Sequence, residues 1–126
     1  MFHSCGNLLQ YLPDLINIGL KILEPCQPCM DLKYLKKEYG KDLIFFGGID
    51  TQQLPFISES DTRELARNTI RILGKGGGYI IASDHSVAGN VPPENYEYMV
   101  NLVRQYGKYP LKLLEEKGVS PDPSFP

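Results

Sequence analysis

The stretch LKILEPCQPCMDLKYLKKEYGKDLIFFGGID, residues 20–50, holds one complete strand–helix–strand pattern. Short apolar runs at 20–24 and 43–46 predict two strands. Residues 30–40 between them carry apolar side chains at helical spacing and end at Gly40, which is typical of a helix. Two strands joined by a helical crossover of this length pair in parallel.

The same alternation continues on both sides of this unit. Before it, residues 11–19 predict a short helix that follows a strand end at the amino terminus. After it, Ser58 and Asp61 form a capping box that begins a long helix. A strand over 78–82 and a helix over 92–107 complete the pattern. Strands that alternate with helices indicate an α/β fold with a parallel sheet.

Two architectures fit this order: a small doubly wound sheet, or half of a (β/α)8 barrel. The doubly wound sheet lacks its usual sign, because no G-x-G-x-x-G follows a strand. The glycine run 74–78 precedes a strand and predicts a turn, not a phosphate site. We expect one domain over 1–109. Residues 110–126, rich in proline, predict a partly disordered carboxyl-terminal extension.

Composition excludes several classes of function. The chain has 126 residues and a net charge of −2, without a run of like charge, which argues against nucleic acid and anionic membrane surfaces as partners. Its apolar stretches are too short to span a bilayer. The first residues lack the features of a signal peptide, so we expect a cytoplasmic protein. An odd number of cysteines predicts free thiols and not a disulfide framework.

Most chemically reactive residues follow the ends of predicted strands, where (β/α)8 enzymes carry their active sites. They are His3 and Cys5 after the first strand, Cys26 and Cys29 after the second, Asp50 after the third, and Asp84 and His85 after the fourth. The fold therefore predicts one rim that collects these side chains. The glycines before Asp50 are expected to allow the close approach of a ligand.

Spacing alone leaves the roles of two pairs open. His3 and Cys5 lie two residues apart on an extended strand end, so their side chains point the same way. This suits two ligands of one zinc ion, but equally a surface histidine beside a buried thiol. Cys26 and Cys29 form C-x-x-C within a proline-stiffened loop, which fits a structural role, a redox pair or an additional metal clip.

Three segments resemble a known family: QPCMDLKYLKKEYG (27–40), FFGGIDTQQLPF (45–56) and ILGKGGGYIIASDHSVAGNVPPENYEYM (72–99). They are similar to the uroporphyrinogen decarboxylase (URO-D) superfamily, which includes corrinoid-dependent methyltransferases. The resemblance runs from Phe2 to Tyr109 and implies the carboxyl-terminal half of a (β/α)8 TIM barrel. Such a half leaves sheet edges uncovered, so an amino-terminal half or a second copy is an expected partner.

The resemblance also implies roles for the rim. H-x-C at His3 and Cys5 is similar to the zinc pair of the methyltransferase branch. The position of His85 tends to hold a further cysteine ligand in that branch and a histidine near the carboxylate substrate in decarboxylases. The expected metal set is His3, Cys5 and His85, with His85 and Asp50 as the catalytic residues.

Three functions follow from the resemblance. The first is zinc-assisted transfer of a methyl group between a small-molecule substrate and a corrinoid on a partner protein. The second is decarboxylation of uroporphyrinogen in tetrapyrrole synthesis. The third is an inactive half barrel, or one that works only beside a partner, because catalysis requires its groups to be held together.

Overall fold

A computed structural model describes residues 1–109 and 111. Its sheet has four parallel strands in the order β1-β2-β3-β4. The strands are β1 (Phe2–His3), β2 (Ile22–Cys26), β3 (Ile44–Ile49) and β4 (Tyr79–Ser83). This topology confirms the predicted α/β fold with parallel strands, which is the arrangement of half a (β/α)8 barrel.

A helix connects each strand to the next, as the sequence predicts. A 3-10 turn over Leu9–Tyr11 leads into α1 (Leu12–Asn17), and the longer helices are α2 (Leu32–Tyr39), α3 (Glu59–Leu73) and α4 (Pro93–Tyr106). The predicted capping box is present at the start of α3: the Ser58 hydroxyl accepts from the Asp61 N–H, and the Asp61 carboxylate accepts from the Ser58 N–H.

The helices cover one face of the sheet. Leu23, Phe45 and Tyr79 occupy adjacent register positions on β2, β3 and β4 and pack in one core cluster with side chains of the helices. Side chains alternate along a strand, so their neighbours point to the opposite face. There, Ile44 and Ile80 are 37% and 43% exposed. A closed barrel buries this face against its opposite strands.

Three strands extend beyond their predicted ends, β4 by a single residue to Ser83. β2 continues to Cys26, so this residue lies inside the strand and does not follow it. β3 continues through Gly47 and Gly48, which both have positive φ. A Cβ at Gly48 would lie 3.0 Å from the Thr69 methyl group and from the Tyr79 hydroxyl. The space expected for a ligand is therefore filled by protein atoms.

The predicted carboxyl-terminal extension, 110–126, lies outside the described residues except for Leu111. Leu111 is buried against Ile70 of α3. Within the described part of the chain, no helix is long and apolar enough to cross a membrane.

Candidate functional site

The rim at the carboxyl ends of the four strands carries the predicted site residues. His3 ends β1, Asp50 follows β3, and His85 follows β4 after one residue. Cys5 and His85 are exposed and Asp50 is half-buried. Because the strands are parallel, all of these positions lie at the same end of the sheet, where the strands finish.

His3 pairs with a carboxylate that the sequence analysis did not single out. The register of β1 and β2 places His3 opposite Glu24, and the imidazole Nδ1 donates a hydrogen bond to Glu24 Oε2. Glu24 is half-buried, whereas the His3 side chain is 65% exposed. This bond fixes the tautomer with the proton on Nδ1. In a neutral imidazole the lone pair is then on Nε2.

Gln27 joins the loop after β1 to the end of β4. Its Oε1 accepts a hydrogen bond of 2.7 Å from the Gly6 N–H, and its Nε2 donates one of 3.3 Å to the Asp84 carbonyl oxygen. Gly6 follows Cys5 and Asp84 precedes His85, so one side chain connects the segments of two of the three predicted metal ligands. Strands two positions apart in a flat sheet are separated by about 10 Å. The Gln27 side chain and its hydrogen bond span this distance, from the end of β2 to the loop after β4.

The buried carboxylate of Asp84 is hydrogen-bonded to Thr51, another residue of the rim. Asp84 is 3% exposed, and its Oδ1 accepts hydrogen bonds from the Thr51 N–H (2.9 Å) and hydroxyl (2.8 Å). The Asp84 N–H donates to the Ile49 carbonyl oxygen. A buried carboxylate requires hydrogen-bond donors, and Thr51 supplies two of them. These bonds attach the loop after β4 to the end of β3 and the loop that follows it.

Asp50 is bonded within its own loop. Its Oδ1 accepts from the Gln52 N–H at 2.9 Å, and its Oδ2 accepts from the Gln53 side chain at 2.6 Å. Both oxygens thus stabilise the turn after β3. A carboxylate retains further lone pairs for a substrate donor, and the catalytic role expected for Asp50 stays a prediction.

The three cysteines occupy different environments. Cys5 and Cys29 are exposed, whereas Cys26 is fully buried in the core. Burial and then the negative charge of Asp84 raise the pKa of the Cys26 thiol from 9.0 to about 12. The thiolate is the form that ligates metals and exchanges disulfides. Of the three roles left open for C-x-x-C, this environment favours the structural one.

The predicted metal ligands lie at the same end of the sheet. His3 ends β1 and Cys5 follows two residues later. Gln27 links the loop of Cys5 to the segment of His85. Within residues 1–109 and 111, however, no three His, Cys, Asp or Glu side chains are already arranged to hold a metal ion. The set of His3, Cys5 and His85 stays a prediction.

A second concave surface lies away from these residues, between the first turns of α3 and α4. It encloses about 290 Å³. Its lining consists of Glu59, Glu94, Asn95, Glu97, Tyr98 and Asn101. The predicted site residues do not line it. Asn95 also has a structural role, since its side chain donates to the carbonyl oxygen of Leu54 at 2.9 Å.

Comparison with known proteins adds to the geometry of the rim. The family model described as Uroporphyrinogen decarboxylase (URO-D) matches residues 1–106, which is most of the chain. The chain belongs to the uroporphyrinogen decarboxylase family. Comparison with curated proteins gives no match.

Three rim residues of this URO-D family member were missed by sequence reasoning. Glu24 could be found only from the register that places it beside His3. The position of Gln27, just after a strand and before Pro28, places it at the rim. Its role could not be predicted, because its two hydrogen-bond partners lie 21 and 57 residues away in the sequence. Thr51 appeared in the GGIDT motif without an assigned role.

Proposed function

We propose that this protein carries out zinc-assisted transfer of a methyl group between a small-molecule substrate and a corrinoid on a partner protein. The observation that carries the proposal is the hydrogen bond from His3 Nδ1 to Glu24, beside the exposed Cys5. Histidines that bind a metal usually donate their second ring N–H to a carboxylate or carbonyl oxygen. The pair leaves Nε2 for the metal.

The donor atoms of this rim fit zinc. An imidazole nitrogen and a thiolate are both common zinc ligands, and catalytic sites use three protein ligands with one position open. His3 and Cys5 supply two of them from one strand end. The Gln27 bridge supports His85 as the third, because it ties the segment of His85 to the loop that carries Cys5.

In this proposal the other rim residues hold the zinc ligands or the substrate in position. Zinc, when bound, would lower the pKa of a substrate thiol or polarise a methyl-bearing oxygen or nitrogen. Glu24 holds the His3 ring and keeps its proton on Nδ1. Thr51 fixes the carboxylate of Asp84, which precedes His85. Asp50 would accept a hydrogen bond from the substrate.

Decarboxylation of uroporphyrinogen is the second candidate. It is favoured by one observation: His85 is exposed at the rim, where its imidazole can donate a proton to the pyrrole of the substrate. This reaction gives no role to Cys5. The two candidates therefore differ in their dependence on that thiol and on a metal.

Zinc content and two activity assays separate these candidates. The full chain, saturated with zinc and then freed of excess, is expected to retain about one zinc ion per chain. Cys5→Ser is expected to lose most of it. Cys29→Ser is the matched control, because it removes another exposed thiol from the same rim, and it should retain the zinc.

Activity follows the same pattern. With a methylated corrinoid protein as the methyl donor, methyl transfer to a thiol should disappear in Cys5→Ser and after chelation. If the chain instead decarboxylates uroporphyrinogen, and if that activity survives chelation and Cys5→Ser but not His85→Asn, the second candidate is correct. Failure of the wild-type chain to retain zinc contradicts the methyl-transfer proposal.

A further inference from the structure

The Gln27 side chain makes two hydrogen bonds in opposite directions. Its carbonyl end accepts from the Gly6 N–H and its amino end donates to the Asp84 carbonyl oxygen. A peptide N–H can only donate and a peptide carbonyl oxygen can only accept, so the partners determine the orientation of the amide. A glutamine or asparagine amide provides both functions in one planar group.

The base of this side chain is held in place. Cys26, the preceding residue, is fully buried at the end of β2. The carbonyl oxygen of Gln27 accepts from the Met30 N–H at 3.0 Å. A further hydrogen bond joins the loop after β1 to the loop after β2: the side-chain amide of Asn7 donates to the Cys29 carbonyl oxygen at 3.4 Å. Gln27 therefore extends from a fixed backbone, so that ordering its side chain costs rotamer entropy alone.

We infer that Gln27 is a positioning residue that holds the Cys5 loop and the Asp84–His85 segment at a fixed separation. Both hydrogen-bond partners of the Gln27 side chain are next to predicted metal ligands. Gly6 follows Cys5, and the Asp84 carbonyl belongs to the same peptide group as the His85 N–H. The purpose of this separation, the approach of His85 to the metal ligands, rests on the proposed function. The mechanical link itself does not.

The link is tested on the metal-free full chain by two-dimensional NMR of backbone amides. Gln27→Met has similar length and removes both bonds. Gln27→Glu retains the acceptor for Gly6 and loses the donor to Asp84. Gln52→Met, an exposed glutamine on the loop after β3, is the matched control.

In Gln27→Met, the amide signals of Gly6 and His85 should both move, and the Gly6 amide should exchange about fivefold faster. In Gln27→Glu, the His85 signal should also move, whereas the Gly6 amide, still bonded to a carboxylate oxygen, should exchange no faster than in the wild type. Gln52→Met should match the wild type. If Gln27→Met does not fold, Gln27→Glu decides. Wild-type exchange at Gly6 in Gln27→Met, or an unmoved His85 amide in Gln27→Glu, overturns the inference.

The purpose of the link is tested by zinc affinity, measured by competition with a chromophoric chelator. Gln27→Met and His85→Asn should each weaken zinc binding by about 10- to 100-fold. The double variant should have about the same zinc affinity as the single variant that binds zinc less tightly, because both changes remove the contribution of His85 to zinc binding. A double variant that loses the product of the two factors contradicts the positioning role. Absence of zinc binding in the wild type contradicts the proposed function, while the NMR result still decides whether Gln27 links the two segments.

Discussion

Treatment of the native protein with an aromatic disulfide reagent at pH 8 should modify two of its three thiols. Cys5 and Cys29 are exposed, and Cys26 is fully buried at the end of β2. Only a thiolate attacks the reagent. The pKa of Cys26 is raised from 9.0 to about 12, first by burial and then by the charge of Asp84.

The size of the effect follows from the ionised fraction. A thiol with a pKa of 9.0 is about 10% thiolate at pH 8, and one with a pKa of about 12 is about 0.01% thiolate. The pKa alone therefore slows Cys26 about a thousandfold, since the rate follows the thiolate fraction. Exclusion of the reagent from the core slows it further.

The assay counts released chromophore per chain with and without guanidinium chloride. The wild type should react at two thiols when native and at three when unfolded. Cys26→Ala should also react at two when native, but at only two when unfolded. Rapid modification of three thiols in the native wild type would refute the reasoning, and so would isolation of a Cys26–Cys29 disulfide from the native chain.

Three further predictions concern stability, measured by urea unfolding. Thr51→Val removes the hydroxyl that donates to buried Asp84 and should lower the free energy of unfolding by about 1.5–3 kcal/mol. Thr51→Ser should recover most of this loss, and equal losses in both variants would contradict the assignment. Gly48→Ala should cost about 1–3 kcal/mol, because φ is +90° and its Cβ would lie 3.0 Å from the Tyr79 hydroxyl; an unchanged stability would show that the strand relaxes. The folded chain holds the Cys26 proton more tightly than the unfolded chain, so this contribution is complete below pH 9.0 and is lost as the pH rises to about 12. The slope approaches 1.4 kcal/mol per pH unit at most, and Cys26→Ala should flatten it; parallel curves for the two proteins would count against the raised pKa.

The order of strands and helices could be predicted because each element carries its own local signal. The capping box at Ser58 and Asp61 marked the start of α3, and apolar runs marked β3 and β4. Strand ends were less predictable. β2 extends to Cys26 through Pro25, which lacks an N–H for the sheet, and the register shifts between Leu23 and Cys26. No local pattern indicated that a strand would continue through a proline.

The candidate site was predictable only in part, for a different reason. His3, Cys5 and His85 were found because they are reactive residue types after strand ends. The partners that orient them were not, because a hydrogen bond between distant segments depends on sheet register and loop conformation. The pairing of His3 with Glu24 and the bridge made by Gln27 are both of this kind.

The most direct test of the central claim is zinc X-ray absorption spectroscopy on the zinc-loaded full chain. If His3, Cys5 and His85 hold the zinc, the spectrum should show one sulfur ligand at about 2.3 Å and nitrogen ligands at about 2.0–2.1 Å. In Cys5→Ser, the sulfur shell should vanish from any zinc that remains, whereas Cys29→Ser should retain it. A zinc shell that consists of oxygen and nitrogen alone in the wild type, or a sulfur shell that survives Cys5→Ser, would contradict the account.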